Sequence, residues 1–417
     1  MNDPSNDRRG GSPFAPFRLP HFGFVWSSNL LHFFAIQVHL LSLQWLVTDL
    51  TDSRTILGLA IAVQGVVVAI GSPLGGVAAD LFAKRNLVAA TRLGTAGLAL
   101  TLAALVHSEW IALWHVLVAA LLGGLLNALG QPASQAYVFD VVGARHTQPA
   151  IALNSSAIGL GQMGGPALAG FLIAAVGLVG SWSVGAASFA VAALLLLRIP
   201  IPGRSARATR EPWRELKEGL AYVVRTPPLA LALLACAMAF FNGAIFAMRP
   251  VFARHVLEVG SQGMGALAAA AGFGTLLGSL VATMLPDFRR PGLAIAFSML
   301  GFSSCVFLYA FATSFPYLLC VEFASGLAAQ IWQISAFSGL QMSVPERMRG
   351  RVMGLLFTVA QLAQVGGFVV GSLADQVGDR AAMATFGAIP VVALTLLLIF
   401  GYRPLSRLGA AGALETE

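Results

Sequence analysis

The sequence has 417 residues, of which 57% are hydrophobic and only 10% are charged. An average soluble domain carries about 25% charged residues, so this composition excludes a soluble globular protein and indicates a surface that faces lipid. The net charge is +7, but the sequence contains no soluble basic domain, and nucleic acid is not expected as a partner.

The chain begins with a polar segment, residues 1–21, that lacks the apolar core and cleavage site of a signal peptide. A membrane-spanning helix needs about 20 mostly apolar residues, and open strands cannot satisfy their backbone polar groups in lipid. The sequence therefore predicts an all-α membrane protein. Twelve helices are predicted, at residues 22–48, 56–79, 87–107, 110–138, 150–177, 180–198, 229–252, 262–285, 292–312, 315–341, 352–375 and 380–402.

Basic residues predict the orientation, because Lys and Arg concentrate in the cytoplasmic loops of membrane proteins. With the N-terminus placed in the cytoplasm, 20 of the 25 Lys and Arg residues fall on the cytoplasmic side. Only Arg54, Arg254 and Arg380 fall in outer loops, and Arg92 and Arg249 fall within helices. Both termini are therefore predicted to be cytoplasmic.

An arginine-rich segment, residues 199–228, divides the predicted helices into six and six. Its second part is amphipathic, because Trp213, Leu216, Leu220 and Val223 share one helical face, and we predict a helix on the inner membrane surface. The predicted organisation is a cytoplasmic tail, two six-helix halves joined by this linker, and a second tail. The boundaries are 1–21, 22–198, 199–228, 229–402 and 403–417.

The two halves resemble each other in sequence. Residues 155–172, SSAIGLGQMGGPALAGFL, match residues 359–373, VAQLAQVGGFVVGSL. Gly165 then aligns with Gly366, and Gly170 aligns with Gly371. Parallel repeats of this kind are typical of transporters that hold their substrate between two halves near the middle of the membrane.

The predicted cytoplasmic loop between the second and third helices has the sequence GGVAADLFAKRN. It resembles the loop motif of the major facilitator superfamily, except that Leu81 and Ala83 stand where arginine and glycine are usual. The matching residues are Gly76, Asp80, Lys84 and Arg85.

By this resemblance, Asp80 is expected to face the N-terminus of the eleventh predicted helix, near residues 350–354, and to help hold an outward-facing state. A carboxylate at a helix N-terminus gains about 0.3–1 kcal/mol, and Arg349 and Arg351 beside it are expected to add to the attraction. The alternative is that Lys84 and Arg85 only mark the topology.

Residues 126–170 narrow the resemblance to a bacterial branch of the superfamily that includes the enterobactin exporter and macrolide-efflux proteins. The matching features are Pro-Ala at 132–133, Ala-Leu-Asn-Ser at 152–155 and Gly-Pro at 165–166. The resemblance also extends to the helix-5 motif of proton-coupled exporters, which favours export. Its residues here are Gly161, Gly165, Pro166 and Gly170. The alternative is that these small residues only permit close helix packing.

Amide side chains within the predicted helices mark a candidate cavity, because polar groups inside a membrane are costly. Such a cavity suits a hydrogen-bonding organic molecule rather than a bare ion. The alternative, for about half of these amides, is hydrogen bonding between helices. The candidate residues are Gln37, Asn127, Gln131, Gln135, Asn154, Asn242, Gln330, Gln333, Gln361 and Gln364.

Three ionisable residues in the predicted helices are candidates for proton coupling. Glu322 is the first, because a carboxyl group removed from water can bind and release a proton near neutral pH. His39 is the second, because imidazole titrates close to cellular pH. Arg249 is expected to pair with Glu322 or to hold an anionic substrate. The alternatives are that Arg249 extends to the outer interface and that Glu322 only pairs with a cation near the outer surface.

The resulting expectation is a proton-coupled antiporter of the bacterial inner membrane that exports an amphipathic siderophore or drug by alternating access. Its expected partners are that small molecule, protons and membrane lipid, and a monomer is expected. The sequence has no Gly-Lys-Ser/Thr phosphate loop, no catalytic cluster, and no metal or cofactor site, so no enzyme activity is expected. The alternatives are uptake of a siderophore-like nutrient, and a non-transporting receptor or enzyme on the same fold.

Overall fold

A computed structural model describes residues 15–203, 212–284 and 290–408. Within these ranges the chain is helical and contains no strand, which confirms the predicted fold class. The ends of both predicted tails, the basic stretch 204–211 and Arg289 lie outside the described residues. The helices are α1 (Phe22–Leu50), α2 (Arg54–Leu81), α3 (Lys84–His107), α4 (Leu113–Gly143), α5 and α6 (together His146–Leu197), α7 (Pro212–Arg225), α8 (Pro227–Val256), α9 (Gly260–Met284), α10 (Pro291–Tyr309), α11 (Phe315–Ser343), α12 (Glu346–Ala360 with Leu362–Val377) and α13 (Asp379–Arg407).

Two glycines separate helices that follow one another without a loop. Gly143 ends α4 with a φ of 67°, and Gly177, with φ 69° and ψ −178°, divides the 52-residue stretch His146–Leu197 into α5 (146–176) and α6 (178–197). These backbone conformations suit glycine and strain any residue with a side chain. The eleven apolar stretches of membrane-spanning length in the described ranges therefore contain twelve helices.

Helices α1–α6 form one half of the protein, and α8–α13 form the other. We call the side on which α1 begins, predicted to be cytoplasmic, the near side, and the opposite side the far side. The halves contact each other mainly where α2 packs against α12 and where α5 packs against α9.

Two aligned glycines hold helices together within each half. A Cβ atom at Gly165 of α5 would lie 2.7 Å from Cβ of Gln37 in α1. Its counterpart at Gly366 of α12 would lie 1.6 Å from the carbonyl oxygen of Phe240 in α8. Only glycine permits helices to approach this closely, so the sequence repeat corresponds to a repeated helix contact.

The second pair of aligned glycines joins one half to the other. A Cβ atom at Gly170 of α5 would lie 2.6 Å from the carbonyl oxygen of Ser261 in α9. One at Gly371 of α12 would lie 2.2 Å from the carbonyl oxygen of Arg54 in α2. The two contacts between the halves therefore use equivalent positions of the repeat.

Helices α8 and α12 are interrupted inside the membrane, where the sequence predicted one helix in each place. Turns occur in α8 at Met238 and Gly243, and α12 is interrupted at Gln361. The interruptions lie against each other, because a Cβ atom at Gly243 would lie 1.6 Å from the carbonyl oxygen of Ala363. Discontinuous helices at this depth are a recurring feature of transporter binding sites.

The linker helix α7 covers the segment predicted to be amphipathic. Its Val223 is buried in the protein core, whereas Leu220 is exposed. A Cβ atom at Gly219 would lie 3.0 Å from the carbonyl oxygen of Arg351 in α12. The helix therefore packs against the near-side part of α12 as well as offering an apolar surface for the membrane.

We predict that Gly177→Ala lowers the free energy of unfolding by about 1–3 kcal/mol, because alanine is strained at that backbone conformation. Gly97→Ala is the matched control. Neither new Cβ atom would have another atom within 4 Å, but Gly97 lies inside α3, where alanine stabilises a helix by about 0.5–1 kcal/mol. Thermal unfolding in detergent measures both, and equal midpoints for the two variants would contradict the prediction.

Candidate functional site

The two halves stand apart on the near side, around the predicted loop motif. Among the described residues, Asp80 has no hydrogen-bond or ion-pair partner. A Cβ atom at Gly76, Gly350 or Gly354 would have no other atom within 4 Å. In this conformation Asp80 therefore does not meet the start of α12, because the near-side ends of α2 and α12 are separated.

The arginines predicted to attract Asp80 are held within their own half. Arg351 Nη1 lies 2.8 Å from Glu218 Oε2 of the linker helix α7. Arg349 Nε donates a hydrogen bond of 3.1 Å to the carbonyl oxygen of Gln341 in α11. The linker helix therefore provides a carboxylate for Arg351 while the near side is open.

The basic pair of the loop motif makes structural contacts within the first half. Lys84 Nζ donates to Asp140 Oδ2 of α4 over 2.8 Å. Arg85 Nη1 donates to the carbonyl oxygen of Ile199 over 2.7 Å, and its backbone N–H donates to that of Pro202 over 3.1 Å. These residues fasten the start of α3 to α4 and to the beginning of the linker.

On the far side, a carboxylate of the second half caps the first turn of α2. Asp375 Oδ1 accepts the backbone N–H of Arg54 at 2.9 Å, and Oδ2 accepts that of Thr55 at 3.0 Å. The hydroxyl groups of Ser53 and Thr55 donate to Oδ2 at 2.9 and 2.7 Å. A carboxylate at these otherwise unpaired amides stabilises the helix terminus, here across the two halves.

Two ion pairs and a close helix contact complete the far-side closure. Arg54 binds Asp379 with both its Nε and Nη2 atoms, at 2.9 and 3.1 Å. Arg254 of α8 pairs with Asp49 at the end of α1. Further into the membrane, a Cβ atom at Gly58 of α2 would lie 2.3 Å from the carbonyl oxygen of Gly367 in α12. The protein is thus closed on the far side and open on the near side.

Eight of the ten predicted cavity amides make no hydrogen bond with the described residues through their side chains, and all eight are partly or fully exposed. A polar side chain without a protein partner in a membrane protein requires water or a ligand, because lipid supplies no hydrogen bonds. These eight residues are Gln37, Asn127, Gln131, Gln135, Gln330, Gln333, Gln361 and Gln364.

The other two amides are bonded inside the protein. Asn242 is 1% exposed. Its Nδ2 donates to Met299 Sδ at 2.9 Å, and its Oδ1 accepts the hydroxyl of Ser303 at 3.1 Å. The structure therefore places Asn242 in the core of the second half and not on a cavity. Asn154 is partly exposed, and its Oδ1 accepts Nδ2 of Asn29 at 2.6 Å.

Glu322 is fully buried, about two turns from the far-side end of α11, and both of its oxygens are bonded. Arg249 donates from Nε to Oε1 at 2.7 Å and from Nη2 to Oε2 at 2.9 Å. The hydroxyl of Tyr309 donates to Oε1 at 2.6 Å. Of the alternatives for Arg249, the structure shows the pairing with Glu322. His39 is also buried, and its Nδ1 has no partner among the described residues.

Comparison with known proteins decides the family. Residues 11–411 match the sequence profile of a family described as transmembrane secretion effector. The chain belongs to this family. It is 25% identical over 357 residues to the enterobactin exporter EntS of Shigella boydii serotype 4, covering 84% of each protein. It is 26% identical over 362 residues to EntS of Salmonella typhi, covering 84% of this chain and 85% of that protein.

Solved structures agree on the fold of this chain. A mutant of the nucleoside transporter NupG superposes with a TM-score of 0.74 at 14% identity, covering 90% of this chain and 99% of that one. A bacterial homologue of the human lysosomal transporter Spinster, inward-facing and unoccupied, gives 0.66 at 15% identity, covering 96% and 98%. The family match, the exporter relatives and this shared fold together identify the protein as a multi-pass transporter of the major facilitator superfamily.

The predicted helix-5 motif of this transporter lies at helix contacts. A Cβ atom at Gly161 would lie 2.4 Å from Cβ of Phe33 in α1. The carbonyl oxygen of Pro166 would lie 2.7 Å from a Cβ atom at Gly265 of α9. Close packing, the alternative given above, accounts for these positions, and the connection between this motif and export stays a prediction.

A buried arginine of the transporter was missed as a functional candidate. Arg92 of α3 is 2% exposed, and its partners are Ser28 and Asn29 of α1. A signal was present in the sequence, because an ionisable residue within a membrane span is a functional candidate by default. Asp375 and Glu218, in contrast, could be connected to their partners only by the fold.

We predict that Asp375→Ala opens the far side, because it removes four hydrogen bonds to the first turn of α2. Loss of a helix cap costs about 0.5–2 kcal/mol, so the ratio of open to closed far sides is expected to rise about 2- to 30-fold. Distances between spin labels at Ser108→Cys and Thr313→Cys, one in each half, measure this ratio. The neighbouring Gln376→Ala is the control, and identical distances in both variants would contradict the prediction.

Proposed function

We propose that this transporter exports an amphipathic organic molecule across the bacterial inner membrane by alternating access. With both termini in the cytoplasm, as the basic loops predict, the described conformation is inward-facing. The observation that supports this most directly is the contrast between the two ends of the same helix pair. Asp375 caps α2 on the far side, while Asp80 has no described partner on the near side.

The substrate class follows from the side chains that lack partners. Eight exposed or partly exposed amides offer both donors and acceptors, and their neighbours on the same helices are largely apolar. A siderophore or a drug, with several polar groups on an apolar body, fits such a surface. The relatives named enterobactin exporter support a siderophore rather than a drug as the substrate, and they support export as the direction of transport.

In the proposed outward-facing state, Arg351 gains a second carboxylate neighbour. When the near side closes, Asp80 approaches the N-terminus of α12, and the favourable field of that helix end replaces the far-side cap. Arg351, which pairs with Glu218 in the inward-facing state, then faces Asp80 as well. The charge environment of Glu218 in the linker helix α7 therefore differs between the two states.

Proton antiport is the proposed source of energy, and a monomer is the proposed transporting unit. The buried pair of Glu322 and Arg249 is the first candidate for coupling, since a proton on Glu322 competes directly with Arg249 for the carboxylate. Separating a buried pair costs about 3–5 kcal/mol, so substrate movement or the change of state must supply that free energy. His39 is the second candidate, because its ring is buried and its Nδ1 has no hydrogen-bond partner among the described residues.

We expect inside-out membrane vesicles with an imposed proton gradient to accumulate one class from a panel of iron chelators and antibiotics. Accumulation should collapse when the gradient is discharged, and vesicles without the protein are the control. Gradient-driven uptake by right-side-out vesicles alone would contradict export and would favour nutrient import.

We predict that Asp80→Asn folds normally but transports more slowly. Loss of the charge at a helix N-terminus costs about 0.3–1 kcal/mol, so the population with a closed near side should fall about 2- to 5-fold. Spin labels at Gln148→Cys and Met342→Cys measure that population, and vesicle transport measures the rate. Glu109→Gln, an exposed far-side carboxylate, is the control. An unchanged closed population would remove Asp80 from the gate.

A further inference from the structure

A positive charge is buried in the first half without a negative partner. Arg92 lies in α3, about 12 Å from the near-side end of the helix at 1.5 Å per residue, and is 2% exposed. Its Nη2 donates to Asn29 Oδ1 at 2.6 Å, and its Nη1 donates to the hydroxyl of Ser28. Its Nε has no partner among the described residues.

Arg92 differs in this respect from Arg249, the other arginine that is buried within a membrane-spanning helix, because Arg249 pairs with Glu322. Every described partner of Arg92 is neutral. A buried charge without a counter-charge is strongly unfavourable, and in a membrane no solvent compensates for it. An anion bound within reach of the neighbours of Arg92 would compensate for this charge.

One branch of the hydrogen bonds from Arg92 leads through Asn29 to Asn154, and each residue donates to the next. Arg92 donates to Asn29 Oδ1, and Asn29 Nδ2 donates to Asn154 Oδ1 at 2.6 Å. Because the oxygen of Asn154 accepts this bond, its own amide N–H groups point away from Asn29 and have no described partner. Hydrogen bonds in such a chain polarise one another. The positive charge of Arg92 therefore strengthens the exposed donor of Asn154.

The outer end of this chain is accessible. Asn154 of α5 and Ser134 of α4, whose hydroxyl donates to Asn29 at 3.3 Å, are both partly exposed. Their neighbours Gln135 and Ser155 are exposed. All of them lie towards the near side, where the two halves are apart. The amide of Asn154 is therefore partly accessible from outside the helix bundle.

We propose that Arg92, Asn29 and Asn154 form a subsite for the anionic group of the transported molecule, so that the substrate is an organic anion. The assignment rests on the proposed transport function and narrows its substrate class. A carboxylate, phenolate or sulfonate accepts the N–H groups of Asn154, and its charge compensates for Arg92 through the two amides.

The test compares two dyes of similar size and opposite charge, with the full-length protein in nanodiscs. Fluorescein is the anionic probe and rhodamine 123 the cationic one, and fluorescence anisotropy measures their binding. We expect the wild-type protein to bind fluorescein at least 10-fold more tightly than rhodamine 123. Arg92→Gln should lower fluorescein affinity about 10-fold and leave rhodamine 123 affinity unchanged or higher.

Asn154→Asp gives a sharper test, because it places a carboxylate of the same shape at the end of the chain. It should lower fluorescein affinity at least 10-fold and also raise the thermal unfolding midpoint, since Arg92 then has a permanent counter-charge. A merely structural role for this network predicts no change in dye selectivity. Gln148→Glu on the same helix and Arg403→Gln on the near side, both exposed, are the matched charge controls.

Three results would overturn the proposal. The first is that the wild-type protein shows no preference for fluorescein, or no detectable binding of it. The second is that Arg92→Gln lowers the affinity for both dyes equally. The third is that Asn154→Asp and Gln148→Glu change the fluorescein affinity equally. Vesicle transport separates this failure from that of the proposed function. If a cationic or neutral compound is exported and Arg92→Gln exports it at the wild-type rate, the proposed export function is supported and the anion subsite is rejected.

Discussion

The conformation of this protein depends on a carboxylate of one half that caps a helix of the other. Within a membrane the two halves gain little from the hydrophobic effect, because lipid is as apolar as the helix surfaces. Asp375 therefore provides what apolar packing cannot, namely directed bonds to the free amides at the start of α2. The glycine contacts between α2 and α12 bring the helices close enough for these bonds to form.

The same helix pair carries the proposed contact for the opposite state. Helices α2 and α12 are antiparallel, so each one places its C-terminal end beside the N-terminus of the other. Asp80 stands near the end of α2 and Asp375 near the end of α12. In the proposed transport cycle, rocking the halves about the middle of the membrane would bring one carboxylate to its helix terminus and withdraw the other. Alternation between two comparable contacts keeps the free energies of the two states close, as a transporter requires.

The buried charges distinguish the two halves. In the second half, Arg249, Glu322 and Tyr309 satisfy one another inside the bundle. In the first half, Arg92 has only neutral partners, and the polar chain from it reaches the open near side. A neutral cluster in one half and an uncompensated cation in the other give an asymmetric cavity. In the proposed export of an organic anion, that asymmetry would orient a substrate that has one charged end and one apolar end.

The sequence by itself determined the all-helical class, the twelve spans and the alignment of the repeats, because these depend on local properties. Length and apolarity select a spanning helix, whereas the positive φ angles of Gly143 and Gly177, which end α4 and α5, became visible only in the structure. The pairing of Glu322 with Arg249 was only one of several alternatives. The sequence shows two ionisable residues within predicted spans, but it does not show whether those spans are neighbours. Only the tertiary structure decided which end of the protein is closed, that Asn242 is buried in the core, and that Arg92 has no counter-charge among the described residues. Those properties depend on which helices are neighbours and on their register. The contacts involved join residues that are far apart in the sequence, so they are defined only in the folded chain.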